Sequence, residues 1–302
     1  MATLYTHKDS NIRKTWLLMF FFLVVVIAIG WVFSLYFESP VILYIAVVVS
    51  LVMNIASYWY SDKVALALSH AIPASREEHF DLFTTVENLS ITAGLPKPAI
   101  YIISDPAPNA FATGRNKEHA VVAVTTGLLS ILTKPELEGV IAHELSHIGN
   151  RDMLLSTVVV VLAGIIAMLS DFFIRASFHG GGRRNDRAKA AADFGAVFMI
   201  IAFIVALLAP LAAMIIRLSI SRKREFLADA SGALLTRYPQ GLADALKKIG
   251  SYQAPMRYAH NATAHLFIAN PFGPGATKKF LTKLFMTHPP TEDRIAALLG
   301  RI

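Results

Sequence analysis

His143-Glu144-Leu145-Ser146-His147 is the stretch whose residue types and spacing can do chemistry. It reads H-E-x-x-H. On a helix, positions i and i+4 share one face, so both imidazoles can reach a single metal ion. Glu144 stands beside the first imidazole and can take a proton from a metal-activated water. At this chain's His and Glu content, chance gives roughly 0.01 such matches. Leu137, Ile141, Leu145 and Ile148 form an apolar stripe through the same stretch, the mark of a packed core helix. Lys134-Pro135-Glu136 opens that helix with proline in its first turn. The implied chemistry is metal-assisted hydrolysis. Zinc suits the donors, because it accepts His nitrogen and carboxylate oxygen tetrahedrally and leaves one position for water. Iron and manganese use similar ligands, but a hydrolytic His/His/Glu set favours zinc. The chain has no cysteine, which excludes a thiolate metal site, a disulfide and a cysteine nucleophile.

A third protein ligand is needed. Glu225, in Ser221-Arg222-Lys223-Arg224-Glu225-Phe226-Leu227-Ala228-Asp229, is the best candidate. Asp229 lies four residues on, on the same helical face, where it could accept the other ring N–H of a ligand histidine. The alternative for both is a solvated helix face paired with Arg222 and Arg224. A metzincin would place a third histidine six residues after His147; position 153 is methionine, which excludes that class. His288 precedes Pro289-Pro290, with Arg294 six residues further on. A histidine there could donate to a developing oxyanion, or be an ordinary loop residue. The chain has no Walker loop, G-x-S-x-G or dinucleotide fingerprint.

The elements that must position these groups are mostly apolar. Of 302 residues, 55% are hydrophobic and 16% charged, against about 25% charged in an average soluble domain. Disorder, collagen, a coiled coil and a disulfide scaffold are excluded. A membrane protein with a soluble part is indicated. Four apolar runs cover residues 16–37, 41–60, 153–170 and 194–216, the last with Pro210 inside it. The first is long enough to cross the bilayer. Lys8, Arg13 and Lys14 precede it, and the Glu38-Ser39-Pro40 turn that follows carries no Lys or Arg. That asymmetry puts the N-terminus in the cytoplasm and the chain from Ser61 on the same side. Between runs three and four lie Arg175, Arg183, Arg184, Arg187 and Lys189, which break the pattern. This pair either spans fully or enters the membrane only partly. Both arrangements return the chain to the side of the His143 helix, where Glu225 can reach it. The formal charge of +7 is read as facing lipid headgroups, not nucleic acid.

The expected division is a cytoplasmic segment 1–15, a transmembrane hairpin 16–60, a first catalytic part 61–152, a membrane hairpin 153–216 with a basic loop, and a second catalytic part 217–302. Within it the patterning predicts an amphipathic helix over 76–92 capped by Gly94, and strands at 99–103, 110–113 (an edge) and 120–125 (buried). Helices follow at 128–132, after Pro135, at 222–235, 242–249 and 291–299, with residues 255–274 irregular.

With these motifs assembled, the chain resembles the HtpX-type bacterial membrane-bound zinc metallopeptidases, a family that also contains the CAAX prenyl proteases. The resemblance rests on four motifs in order: Asn109-Ala110-Phe111-Ala112-Thr113-Gly114; His143 to Asp152 (HELSHIGNRD); Ser221 to Asp229 (SRKREFLAD); and Phe285-Met286-Thr287-His288-Pro289-Pro290 with Arg294. It implies an α+β, gluzincin-like, mostly helical peptidase domain with four apolar helices. It implies one zinc ion per subunit on His143, His147 and Glu225, with Glu144 as general base and Asp229 supporting the ligands. By the same resemblance His288 aids the tetrahedral intermediate and Arg294 steadies the glutamate ligand. Asn109, Ala110, Phe111 and Ala112 would line the cleft where substrate adds as a β-strand. The implied activity is endopeptidase cleavage of misfolded membrane proteins, with self-cleavage, at the bacterial inner membrane and on its cytoplasmic side. The rivals weighed are a prenyl-protein protease, whose helical chamber needs more spans than four runs supply, an inactive zinc-binding scaffold, and a zinc transporter or sensor with ligands inside the spans.

Overall fold

A computed structural model describes residues 4–36, 38–162, 222–260, 262–273 and 289–300. Helix α1 (Leu4–Tyr36) and helix α2 (Pro40–Leu68) form an antiparallel hairpin around the expected turn. Pro40 opens α2 at a first-turn position, where a missing N–H costs nothing. Stretches Asn11–Leu35 and Pro40–Leu68 are long and apolar enough to cross a bilayer. Their outward faces carry Trp16, Phe20, Trp31, Tyr44, Val48 and Ile55, all exposed. That is the pattern of a lipid-facing surface.

Both helices outrun the sequence expectation. α1 is already helical at Leu4, through the polar residues before the apolar run. α2 continues past Tyr60 to Leu68, and Ala65 and Leu66 enter an apolar cluster with Ile103, Phe111, Val121 and Phe267. The Trp59 ring lies under the Arg115 guanidinium at 4.6 Å, a cation–π contact between anchor and body.

The body holds a four-stranded sheet in the order β1-β2-β4-β3. Its strands are β1 (Ala71–Pro73), β2 (Ala99–Ile103), β3 (Ala110–Gly114) and β4 (Ala120–Thr125). β2 and β4 are parallel; β1 on β2 and β3 on β4 are antiparallel. β4 is buried along its whole length and β3 is an edge strand, as the sequence indicated; β1 forms the other edge. β1 was not anticipated: three residues are too few to show alternation. Helix α3 (Phe80–Ala93) ends on Gly94 at φ 64°, the left-handed cap that glycine permits. It starts four residues later than the expected 76, because Arg76–Glu78 form a turn held by Ser75 Oγ donating to Glu77 at 2.6 Å. Short helix α4 (Thr126–Ile131) is capped by the Thr125 hydroxyl, which accepts the Leu128 N–H at 3.1 Å.

Helix α5 (Lys134–Asn150) runs through the centre and packs on α3, α7 (Arg222–Thr236) and α8 (Pro239–Ser251). The Glu136 carboxylate accepts the Thr133 N–H at 2.6 Å, satisfying an otherwise orphaned donor at its start. Val140, Ile141, Leu145 and Ile148 are buried with Leu82, Val86, Val122 and Leu246 in the main core. Helix α6 (Met153–Leu162) follows, and α9 (Thr291–Leu298) closes the described fold against α8 and α7. α6 covers the first ten residues of the third apolar run. The rest of that run, the basic loop and the fourth run lie outside the described residues.

Candidate metal centre

Three elements bring the site together. α5 presents His143, Glu144 and His147; α7 presents Glu225 and Asp229; α9 presents Arg294. α7 approaches so closely that a Cβ on Gly232 would stand 2.9 Å from the His143 backbone nitrogen. Only a residue without a side chain lets the two helices meet there.

The ring nitrogens converge. His143 Nε2 and His147 Nε2 are 3.2 Å apart, and Glu225 carboxylate oxygens lie 3.9 Å and 3.8 Å from them respectively. At the opposite ring position, His143 Nδ1 meets Asp229 Oδ1 at 2.9 Å, and His147 Nδ1 meets both Asp152 oxygens at 3.1 and 3.2 Å. Each carboxylate selects the Nδ1–H tautomer, which turns the Nε2 lone pair toward the other imidazole. Two bare lone pairs would repel at this distance, so a cation belongs between them: a proton on His147 Nε2, or a metal ion in its place. Nitrogens bound tetrahedrally at zinc distances sit about 3.3 Å apart, so this donor set fits such an ion.

The electrostatics agree. Burial alone would lower the pKa of His147, but Asp152, then Glu225 and Glu144, outweigh it and hold His147 up at about 10. The pocket thus favours positive charge at His147. His143 goes the other way: burial lowers its pKa despite Asp229. Asp229 is buried, yet the Arg294 hydrogen bonds, His143 and the Arg294 charge bring it down to about 2. Arg294, itself 2% exposed, grips it bidentately through Nε at 2.8 Å and Nη2 at 2.7 Å, and its Nη1 donates to the Ile268 carbonyl at 3.0 Å. The resemblance had Arg294 steadying the glutamate ligand; its bidentate contact here is to Asp229. Burial pushes Glu144 up to about 7; His147 opposes this, Glu225 adds to it, and Arg294 and the Ala112 N–H pull it back down.

That last contact ties the general-base candidate to strand β3. Further along β3, the Ala110 carbonyl accepts the Ile268 N–H at 2.9 Å. Asn109 clamps Ala269, donating from Nδ2 to its carbonyl at 3.0 Å and accepting its N–H at 3.2 Å. Phe111 is fully buried against Phe267 at 5.1 Å, so it packs into the core behind the strand. His288 lies outside the described residues. Asp152, whose carboxylate meets the His147 ring, is the residue at this cluster that motif reading left without a role. Its signal was its place five residues after His147, beyond a helix end at Arg151 whose φ of 55° turns the chain back.

A His-His-Glu donor cluster with a buried carboxylate beside it defines a metallohydrolase site. A model of peptidase family M48 matches residues 76–302. The chain is 49% identical over 298 residues to a protease HtpX homolog of Thermoanaerobacter pseudethanolicus, covering 98% of this chain and 97% of that one. It is 46% identical over 300 residues to the HtpX homolog of Caldanaerobacter subterraneus, at 98% and 97% coverage. The crystal structure of S. mikatae Ste24p is similar over 97% of this chain and 67% of its own, with 17% identity and a TM-score of 0.48. The chain belongs to peptidase family M48. It is a membrane metalloprotease, a peptide-bond hydrolase.

Proposed function

We propose that this protease is a zinc endopeptidase of the bacterial inner membrane, with its catalytic body facing the cytoplasm, that cleaves misfolded or damaged membrane proteins. The observation that carries the metal assignment is the convergence of two imidazole Nε2 atoms 3.2 Å apart with the Glu225 carboxylate beside them, each ring backed by a carboxylate at Nδ1. His143, His147 and Glu225 hold one zinc ion. When bound, zinc polarises the scissile carbonyl and brings the pKa of water to roughly 7.

The chain's own residues do the rest. Glu144 takes the proton of the attacking water and passes it to the leaving nitrogen. Asp229 and Asp152 keep the ligand rings in one tautomer, and Arg294 keeps Asp229 ionised. His288, by resemblance, donates to the developing oxyanion. Asn109, Ala110, Phe111 and Ala112 back the cleft along which a substrate strand lies: the Ala112 N–H meets the base, Asn109 and Ala110 hold Ile268 and Ala269, and Phe111 anchors the strand from the core. Segments 61–152 and 217–302 act as one catalytic body, fed by unfolded stretches of membrane protein or by a second copy of this chain. The Lys and Arg before the first span and the long apolar hairpin support this orientation.

The test is metal content and cleavage of an unfolded substrate by the full chain in detergent, for wild type and Glu144→Gln. Both bind about one zinc, and only wild type cleaves, with a difference on the order of 10²–10⁴. A wild type that binds no metal, or equal cleavage by both, overturns the assignment.

A further inference from the structure

The peptidase body touches the membrane hairpin at the level where the apolar stretches end. Trp16 stands near the start of the first stretch, and Tyr58, Trp59 and Tyr60 lie where the second gives way to polar sequence. Trp16 stacks on Tyr58 with ring centroids 6.1 Å apart, and Tyr58 meets Trp59 edge-on at 5.6 Å. The Arg115 guanidinium, which belongs to the body, continues this row over the Trp59 ring. Trp16, Trp59 and Tyr60 remain 58%, 50% and 55% exposed, so the row is open on its outer side. Rings of this kind sit at the headgroup level of a bilayer.

Two cations are seated on the row. Arg115 directly follows the last residue of β3. The turn after it is held by Asn116, whose Oδ1 accepts the His119 N–H at 2.9 Å, so Arg115 is presented from a fixed turn. Lys63 comes from α2. It lies four residues after Trp59 and three after Tyr60, on one helical face with them, and its Nζ stands 5.2 Å from the Tyr60 ring centre. Among the described residues neither cation has a carboxylate at ion-pair distance, whereas Lys117, two residues from Arg115, is paired with Glu118 at 3.9 Å. Asp62 offsets part of the charge; Arg13 and Lys14, exposed on the turn of α1 before Trp16, keep the level cationic. A guanidinium that lays its face on a ring keeps its edge N–H groups for an acceptor. At the end of a membrane span, the acceptor of matching charge is a lipid phosphate.

We propose that Arg115 and Lys63, braced on Trp59 and Tyr60, form a site for the headgroup phosphate of an anionic phospholipid. The bound lipid joins the end of β3 to the end of α2 from outside, and so fastens the peptidase body to its anchor only in a membrane that carries such lipid.

The experiment uses the full chain with Glu144→Gln, which keeps it intact, in nanodiscs of mixed phosphatidylglycerol and phosphatidylcholine. Native mass spectrometry counts each lipid that stays on the chain once the disc is stripped. This parent protein is expected to retain phosphatidylglycerol in preference to phosphatidylcholine. Arg115→Gln and Lys63→Gln are each expected to lower that preference about fivefold, the effect of one cation near an anionic surface. Trp59→Leu leaves every charge in place and is expected to lower it about two- to fivefold, because the guanidinium loses its seat. Thermal unfolding gives a second reading: phosphatidylglycerol raises the midpoint of the parent above its value in phosphatidylcholine alone and does not raise that of Arg115→Gln. Equal retention of the two lipids by the parent overturns the proposal. So does an unchanged preference in Trp59→Leu, which would mean diffuse attraction by charge alone, or a stabilisation by phosphatidylglycerol that survives Arg115→Gln. Should Arg115→Gln be unfolded even in phosphatidylcholine, the exposed Lys63→Gln decides, and an unchanged preference there overturns the proposal.

Discussion

The two histidines of the donor cluster share one helix and one chemistry, yet the structure supports them in opposite ways. His143 is 1% exposed, and its carboxylate comes from α7, itself gripped by an arginine of α9, 151 residues away from His143. His147 is partly exposed, and its carboxylate comes from Asp152, five residues along the same chain. The first support exists only when three helices have assembled. The second is local and forms with the end of α5. One site thus contains an arm that reports tertiary assembly and an arm that does not.

That contrast can be broken from its stronger side first. Asp229→Asn leaves Arg294 buried without its anionic partner, and removing one partner of a buried pair costs about 3–5 kcal/mol. Urea unfolding should show this loss in stability even without metal, together with weaker zinc retention. Gly232→Ala pushes α7 off the His143 backbone. Overpacking of this kind costs about 1–3 kcal/mol, and the same unfolding curves should show it with zinc retention reduced in parallel. Asp152→Asn should quicken zinc release about tenfold while costing less in unfolding than Asp229→Asn, since only the local arm is cut. If Asp152→Asn unfolds the protein as Asp229→Asn does, the distinction between the arms is wrong.

The smallest effect sits at the far end of α5. Lys248 of α8 donates to Glu136 at 2.7 Å. Burial alone would raise the Glu136 pKa, but Lys248 and the Thr133 contacts outweigh it and hold the carboxyl below its ordinary 4.5. A depressed carboxyl stabilises the fold above its unfolded value and stops doing so as pH falls through the folded one. Glu136→Gln should therefore cost about 1 kcal/mol or less at pH 7 and nothing at a pH below the folded value. Thermal unfolding as a function of pH measures the difference.

The same contrast explains what could be read from the sequence. The α5 helix, its proline start and the His143/His147 pair were legible, because a period of 3.6 and a spacing of four are local facts. So was the Gly94 cap. Glu225 and Asp229 stood out only as a spacing with two readings, solvated face or metal support, and burial against α5 favours the second. Asp152 went unassigned although it is closest in sequence to the histidines, since its reach depends on the left-handed turn at Arg151. The bidentate hold of Arg294 on Asp229 was not legible at all, because it joins groups 65 residues apart. β1 was too short to carry a pattern. The lengths of α1 and α2 were underestimated because hydropathy marks where a helix meets lipid, not where it stops.

That last point has a mechanical consequence. From Tyr60, in the aromatic cluster where α2 leaves its apolar stretch, to Leu68 the chain is continuous helix. Eight residues at 1.5 Å each make a rigid strut of at most about 12 Å, which a hinge or tether would not provide. The sheet is thereby joined to the anchor helix without a flexible link. The hairpin and the sheet therefore move as one piece, braced where Arg115 meets Trp59.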